Sequence, residues 1–550
     1  MCGIAGTIGD EWTSVQFETL LKSIEHRGPD GSGTYHCGNM RLGMNRLKIR
    51  GETIPLPLIR ENDTVAFNGQ IYGLYGPNGD YTDVLDGLET EVSILEKNDA
   101  EKINGMYACA LFNLEGTELT LSTDYQFIKP LFYRVAQTGI AFCSEFIPLS
   151  RMSDQNTINR DALAELFMYG WYLSDQSYAA PLHLVSRRNL QTFKGRIVER
   201  EKPVPYKPVH SPDRLEHLRQ RVRDSVQRCL VGTGPFGLAL SGGLDSSILA
   251  WELNAAGVEN IVTISVILPD NDDGLQSLED LKLPPGGAWT TWKHRTVNVD
   301  ENWDFLDAFK AATLVFGHPT NMSSLPLFQL IANAASEEGV RVLMSGEGVD
   351  EFFAGYSSYN KVQNRQDITD YYKHPPRLKL VQLLFGDTAA QSTKDRFSDL
   401  YADCVDLRLI ERELRLVRLL LRTDVCLMSK SIEGRTPFLH NQIPDFALSI
   451  PWNDHVSGAR KALLREAYRT NIPNRSRTAK TRFKISDAVL RGYLNDETFR
   501  ARLVLSTRSV FGEKNVKKCL DILNSDAGFD ADICCLLMSL SFLIEEGIIE

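Results

Sequence analysis

Several signals are absent from this 550-residue chain, and each absence removes a class of protein. No Cys-x-x-Cys pair occurs. The ten cysteines are scattered, with only Cys534 and Cys535 adjacent, which speaks for reduced thiols in a cytoplasmic protein rather than a disulfide framework or a zinc site. Positive charge is in deficit: a net charge of -11 argues against a general nucleic-acid-binding surface. Apolar runs are short as well. Ile533 to Ile544 falls below the roughly 20 residues that cross a bilayer and is broken by serines, so it reads as a buried helix and no membrane span is expected. The first residues carry neither a basic stretch nor a cleavage pattern for secretion.

What remains is the composition of a globular protein, 43% hydrophobic and 24% charged, too long for one core and expected to form two to four domains. Residues 1 to about 200 read as short strands between turns: Thr64 to Phe67, Ala108 to Phe112, Leu119 to Ser122 and Ile140 to Cys143, with helices over Val15 to Ile24 and Glu89 to Glu96. They predict a layered α+β domain. Prolines 181, 203, 205, 208 and 212 mark the linker, set at 196–212 between units 1–195 and 213–550. A charged helix from Asp213 to Arg228 opens the second unit, its charges read as a solvated face. From Gly234 strands and helices alternate, with strands at Phe236 to Leu240, Ile261 to Leu268, Arg295 to Val299 and Val340 to Met344, and helices around 244–256, 305–314 and 325–338. That order predicts a doubly wound parallel sheet with ligands at the C-terminal strand ends.

Two loops stand at such strand ends. Ser241-Gly242-Gly243-Leu244-Asp245-Ser246-Ser247 turns an apolar strand into a helix; its glycines permit close approach, and its serines and the helix N-terminus suit pyrophosphate. It lacks the Gly-Lys-Ser/Thr ending of a Walker loop. A carboxylate beside phosphate requires a cation between them, so Asp245 is a candidate magnesium ligand. Ser345-Gly346-Glu347-Gly348-Val349-Asp350-Glu351 follows a later strand, adding Asp350 as a second magnesium ligand and Glu347 facing the reacting acid or amine. At the other end of the chain, Cys2 would combine thiol and α-amine, nucleophile and proton acceptor, once Met1 is removed.

Met-Cys-Gly-Ile-Ala-Gly, His26-Arg27-Gly28-Pro29-Asp30-Gly31 and Asn68-Gly69-Gln70-Ile71-Tyr72 resemble, in order, the class II glutamine amidotransferases, whose domain is an N-terminal-nucleophile hydrolase. The two later loops, with Glu433-Gly434-Arg435-Thr436-Pro437-Phe438-Leu439, are similar to the asparagine synthetase family and its ATP-pyrophosphatase domain. The resemblance implies an α/β multidomain enzyme that hydrolyses glutamine at Cys2, with Asn68 and Gly69 on the oxyanion and Arg46, Leu47, Ile49, Asn68, Gly69, Gln70 and Glu89 around glutamine. It implies ATP on Ala239, Leu240, Ser241, Gly242, Gly243, Asp245, Ser246, Val266, Ser345 and Gly346, with Mg2+ as cofactor and Glu347 and Lys461 acting on an acyl-adenylate. Glutamine and a small carboxylic acid would be the substrates, nucleic acid and membrane are not expected as partners, and a homodimer stays open.

The chain also departs from the pattern. Glu89 stands where the family has Asp; Thr123-Asp124-Tyr125-Gln126-Phe127-Ile128-Lys129-Pro130-Leu131 has Phe127 in place of a glycine, so another loop conformation is expected there. Asp272-Asp273-Gly274, Leu283-Pro284-Pro285-Gly286-Gly287, Val425 and His440 alter the surroundings expected to choose the acid. Aspartate or a related acid is therefore the expected acceptor; an amide or lactam synthetase using another amine, or a non-catalytic nucleotide-binding relative, is the alternative.

Overall fold

The computed structural model describes residues 2–51, 55–75, 81–84, 91, 102–113, 118–153, 156–185, 189–192, 197–199, 213–269, 288–300, 302–362, 364–440, 442–456, 458–474 and 483–549. All but Glu91 of the helix expected at Glu89 to Glu96, all but residues 197–199 of the linker, and the altered segment around 270–287 lie outside them. Among these residues no helix is long and apolar enough to cross a membrane. All ten cysteines are free.

The N-terminal unit stacks two antiparallel sheets. The first contains β1 (Cys2–Ile8), β2 (Ser32–Cys37), β3 (Met40–Arg46) and, further along, the strands Phe132–Val135, Ile140–Cys143 and Leu182–Leu184. The second is built on β4 (Asp63–Tyr75), β5 (Ile103–Asn113) and β6 (Leu119–Thr123). Alternation at period two assigns the faces. Ile4, Ile8, Leu42 and Met44 meet Ala66, Ala108 and Ala110 between the sheets, while Ala5 on the opposite face of β1 packs under α1 (Ser14–Ser23) through Phe17, Leu20 and Leu21. Small residues on β4 and β5 let the layers approach. Thr13 caps α1 reciprocally with Gln16, which fixes its start.

The second unit opens with the helix Arg214–Arg228, whose apolar stripe of Leu218, Val222 and Val226 is buried. Its arginines serve the fold: Arg228 lies over the Tyr81 ring, 3.8 Å from its centroid, and Arg223 reaches Glu252 at 3.4 Å. Five strands then form one parallel sheet: β7 (Phe236–Ala239), β8 (Val262–Ile267), β9 (Lys293–Asn298), β10 (Val342–Met344) and β11 (Glu433–Arg435), in the order β9-β8-β7-β10-β11. The chain runs outward one way from β7, then returns to its other side. Loops after β7 and β10 therefore splay apart at a topological switch point, where ligands of such sheets bind. Strand β11 has no sequence signature, since Glu433-Gly434-Arg435 is neither apolar nor alternating. It belongs to the sheet because Glu433 and Arg435, both buried, neutralise one another at 2.5 Å. The apolar run 533–544 lies within the helix Ala531–Glu545, buried from Ile533 to Leu543.

Candidate functional site

Cys2 begins β1 directly opposite Arg46 on β3, its side chain turned into the space between the sheets. Asn68 shares the inward-facing parity of Ala66 on β4, which brings it to the same point: the Cys2 N–H donates to Asn68 Oδ1 at 3.0 Å. Two buried donors around the thiol have no hydrogen-bond partner among the described residues, Asn68 Nδ2 and Arg46 Nη1. Unpaired buried donors are costly and point to a missing acceptor. Gly69 next to Asn68 has φ +152°, and a Cβ there would lie 2.1 Å from the Met106 carbonyl, so only glycine keeps its N–H in place. Burial pushes the Cys2 thiol up, while the positive chain terminus, the Leu47 N–H and Arg46 pull it down.

The remaining residues expected around glutamine divide. Leu47 and Ile49 are buried, and the Ile49 carbonyl is taken by Thr233 of the second unit, whose N–H donates at 2.8 Å and Oγ1 at 3.0 Å. The Gln70 amide donates to Glu91 at 2.8 Å and to the Ile71 carbonyl. Glu89 lies outside the described residues. Its neighbour Glu91 is a hub that sequence reasoning missed: it also accepts from Arg50 at 2.6 Å and from the Ile71 N–H at 2.8 Å, tying the Arg46 loop to the Asn68 strand. Burial raises its carboxyl.

The loop 123–131 corrects one expectation. Phe127 takes φ +61°, the left-handed geometry that a glycine would supply, and the turn is kept. Asp124 compensates. Its two oxygens accept from the N–H groups of Tyr107, Gln126, Ile128 and Lys129 at 3.0–3.1 Å, enough to outweigh the roughly 1–2 kcal/mol of left-handed strain. Burial lifts the Asp124 carboxyl to about 6 against the Ile128, Lys129 and Tyr107 N–H groups and the Lys129 charge.

The second site lies at the switch point. The Ser241 loop folds on itself: Ser246 Oγ accepts from the Ser241 N–H and donates to the Gly243 carbonyl, both at 3.2 Å, while Gly242 takes φ +74°. Ala239 and Leu240 lead into it from β7, and Val266 stands near the C-terminal end of adjoining β8. Across the gap comes the Ser345 loop after β10. A Cβ on Gly346 would lie 2.8 Å from the Asp245 Cβ, so the loops touch only because residue 346 is glycine. Ser247 Oγ, Ser345 Oγ and Asp245 Oδ1 are buried without partners among the described residues.

Lys461 joins the two loops. It caps the helix Ala462–Ala467 at φ +56°, largely buried, with Nζ 2.6 Å from Asp245 Oδ2 and 2.8 Å from Asp350 Oδ1. The ammonium draws together the two carboxylates proposed for magnesium. Burial lifts Asp245 to about 6, Lys461 opposing and Asp350 adding to the rise. An unpartnered carboxylate oxygen beside a second carboxylate and a phosphate-type loop fits magnesium, which takes one or two carboxylates and completes its shell with phosphate and water. Glu347 is held by Arg422 Nη2 at 2.6 Å and Thr423 Oγ1 at 3.4 Å, both on α2 (Val417–Met428). Gly355 is another residue the motifs did not flag as functional: a Cβ there would come within 1.7 Å of Asp350 Oδ1 and 2.4 Å of Lys461 Cε. Glu351 is pushed up to about 8 by burial and by Asp350, and accepts from Tyr356 Oη at 2.7 Å. His440 faces Tyr72 of the first unit with ring centroids 4.9 Å apart, held neutral by burial, and Val425 is buried on α2.

Two family models match the chain. A glutamine amidotransferase domain model matches residues 1–200 and an asparagine synthase model residues 217–528. A putative glutamine-hydrolysing asparagine synthetase of Methanocaldococcus jannaschii is 24% identical over 82% of this chain and 81% of its own length. Asparagine synthetase B of Escherichia coli is also 24% identical, over 86% and 80%, and asparagine synthetase 3 of Bacillus subtilis is 24% identical over 86% and 85%. The solved structure of B. subtilis glutamine phosphoribosylpyrophosphate amidotransferase complexed with ADP and GMP overlaps at a TM-score of 0.25 and 13% identity, covering 63% of this chain and 81% of that one; a likeness that loose informs neither fold nor site.

Proposed function

Because this chain belongs to the asparagine synthase family, we propose that it is a glutamine-dependent amide synthetase: unit 1–195 releases ammonia from glutamine, and unit 213–550 uses ATP to activate a small carboxylic acid, aspartate or a close relative, for amidation. The observation that carries the reading is the pair of unpartnered donors, Asn68 Nδ2 and Arg46 Nη1, flanking a buried N-terminal thiol. A spare amide donor beside a nucleophile suits a tetrahedral oxyanion, and a spare guanidinium nitrogen suits the glutamine carboxylate. An intact nucleophile with its pocket opposes the use of an amine other than ammonia.

With Met1 removed, the Cys2 α-amine takes the thiol proton, and the thiolate attacks the glutamine amide carbon. Asn68 Nδ2 and the Gly69 N–H stabilise the oxyanion. The amine then gives its proton to the departing ammonia, leaving a thioester that water cleaves to glutamate. In the second site the acid's carboxylate attacks the α-phosphorus of ATP, pyrophosphate leaves from the Ser241 loop, and ammonia displaces AMP from the acyl-adenylate. Asp245 and Asp350 would hold Mg2+, which neutralises pyrophosphate charge when bound. Lys461, already an ammonium between those carboxylates, keeps them from repelling one another and offers charge to the phosphates. Glu347, restrained by Arg422, faces the acid and the incoming ammonia.

The test is pyrophosphate and glutamate release with Mg-ATP and glutamine across a panel of carboxylic acids, L-aspartate first, repeated with ammonium and with Cys2→Ala. The wild type should form both products, and Cys2→Ala should retain activity with ammonium alone. A Cys2→Ala protein fully active on glutamine would refute the first site, and no pyrophosphate with any acid would refute the second.

A further inference from the structure

The two candidate sites are joined by three consecutive residues of α2. Arg422 and Thr423 hold Glu347 in the synthetase site, as described above. Asp424, next in sequence, points the other way, into the seam between the units, where its two oxygens are gripped by two cations of the first unit: Arg27 Nη2 at 2.7 Å and Lys129 Nζ at 3.2 Å. Each of the three side chains is at most 1% exposed. Arg27 does not stop at Asp424. Its Nη1 donates to Glu145 at 3.1 Å, which also meets His26 at 2.8 Å, and its Nε points at the carbonyl of Cys2 at 3.5 Å. Lys129 is delivered to the seam by the Asp124-stabilised turn and also reaches the Gly434 carbonyl on β11 at 3.3 Å.

From the nucleophile's own carbonyl to the carboxylate of Glu347 there is thus a continuous polar path: Cys2, Arg27, Asp424, one step along a buried helix, and Arg422 with Thr423. Every residue on it is charged or hydrogen-bonded, and Asp424 is the anion that both interfacial cations share. A buried charge with two cationic partners has a single low-energy position, so a shift of α2 carries Arg27 with it. The two residues that hold Glu347 and Asp424 itself share one turn of α2, so a displacement of Glu347 falls on that same turn.

We propose that Asp424 is a positioning residue that couples the two sites, setting the rate of glutamine hydrolysis at Cys2 by whether the synthetase site is filled. The coupling works through displacement of the Arg27 guanidinium relative to the Cys2 carbonyl and needs no new contact with glutamine. It rests on the two-site reading above and adds a direction to it: ammonia is made when an acceptor is waiting.

The measured quantity is the ratio of glutamine hydrolysis with and without Mg-ATP plus the acid that supports pyrophosphate release, L-aspartate tried first. In the wild type this ratio should be at least about fivefold, the lower end of ordinary coupling between sites. In Asp424→Asn it should fall to within about twofold of unity, with ammonium-dependent pyrophosphate release retained; Asp424→Glu, which keeps the charge, should recover much of it. Should Asp424→Asn fail to fold, Arg27→Lys, which can hold Glu145 or Asp424 but not both, carries the same expectation. Reciprocity supplies a test without substitution: alkylating Cys2 with a glutamine-derived diazoketone should change the affinity for Mg-ATP by a similar factor. A wild-type ratio near one, or an Asp424→Asn ratio equal to the wild type's, overturns the coupling while leaving the two reactions standing. Loss of both reactions in the wild type refutes the underlying reading, and the coupling with it.

Discussion

Gly355→Ala isolates the geometry of the second site without removing a functional group. The added methyl would sit 1.7 Å from Asp350 Oδ1 and 2.4 Å from Lys461 Cε, whereas ordinary carbon contacts lie near about 3.5–4 Å. Asp350 or Lys461 must therefore retreat by an ångström or more, and the 2.8 Å bond between them opens. Overpacking of this kind costs about 1–3 kcal/mol, which a chain of this size tolerates, but a displacement near 1 Å at a reacting centre costs about 10²-fold in rate. The expected result is a drop of about 10²-fold in ammonium-dependent pyrophosphate release, with Tm nearly unchanged and glutamine hydrolysis without ATP unaffected. Gly492→Ala is the control. It lies mid-helix within Asp487–Asn495 with nothing inside 4 Å of its Cβ, and should gain about 0.5–1 kcal/mol with no change in activity. A Gly355→Ala protein that keeps half of its pyrophosphate release would show that the Asp245, Asp350 and Lys461 constellation is not the reacting centre.

Other outcomes follow from single contacts. Asn68→Ala removes the spare amide donor and should lower kcat for glutamine hydrolysis by about 10²–10³-fold, leaving ammonium-dependent synthesis intact; steady-state glutamate release decides it. Lys461→Met leaves Asp245 and Asp350 facing each other with no cation, so pyrophosphate release should fall at least about 10²-fold while the Mg2+ concentration needed for ATP binding rises, read by titration calorimetry. The Glu433–Arg435 pair gives a pH signature. Burial would raise the Glu433 carboxyl, but Arg435 and the positive charges of the chain terminus and Lys129 outweigh it and hold it at about 2. A depressed carboxyl contributes stability above its ordinary range and loses it as pH falls, here about 3 kcal/mol between about pH 5 and pH 2. Urea unfolding across that window should show the wild type losing more stability than Glu433→Gln, and parallel losses would refute the assignment.

The departures from the family pattern show how far a motif can be trusted. Phe127 replaces a glycine yet the turn survives, because four backbone donors converge on Asp124, a residue within the quoted stretch whose importance no pattern of spacing reveals. His440 was expected to bear on the choice of acid, and its ring lies against Tyr72 at the seam between the units. Glu91, two residues beyond Glu89, holds Arg50, Gln70 and Ile71 together. The partners of His440 and Glu91 come from other segments, which sequence does not record directly, whereas three of Asp124's four donors lie within five residues of it in its own turn.

Local chemistry was legible from the start. The oxyanion role of Asn68 and Gly69 came from the family resemblance, whereas apolar runs bounded by glycine gave β7, β8 and β10 to within about two residues, Ser-Gly-Gly at a strand end suited a phosphate, and a second-position cysteine offered a thiol beside an α-amine. These depend on neighbours in the chain, through dihedral preferences and period-two alternation, so the sequence by itself determines them. Tertiary structure alone decided the rest. Strand β11 pairs because a buried Glu433 and Arg435 satisfy each other, Gly346 and Gly355 are required only because distant loops approach, and Lys461 enters the candidate site only because two carboxylates from separate loops close on it. Asp424 reads as one acid on an apolar helix until Arg27 and Lys129, each about 300 or more residues away, are brought to its two oxygens. Electrostatics in a buried seam depends on which charges meet, and only folding decides that.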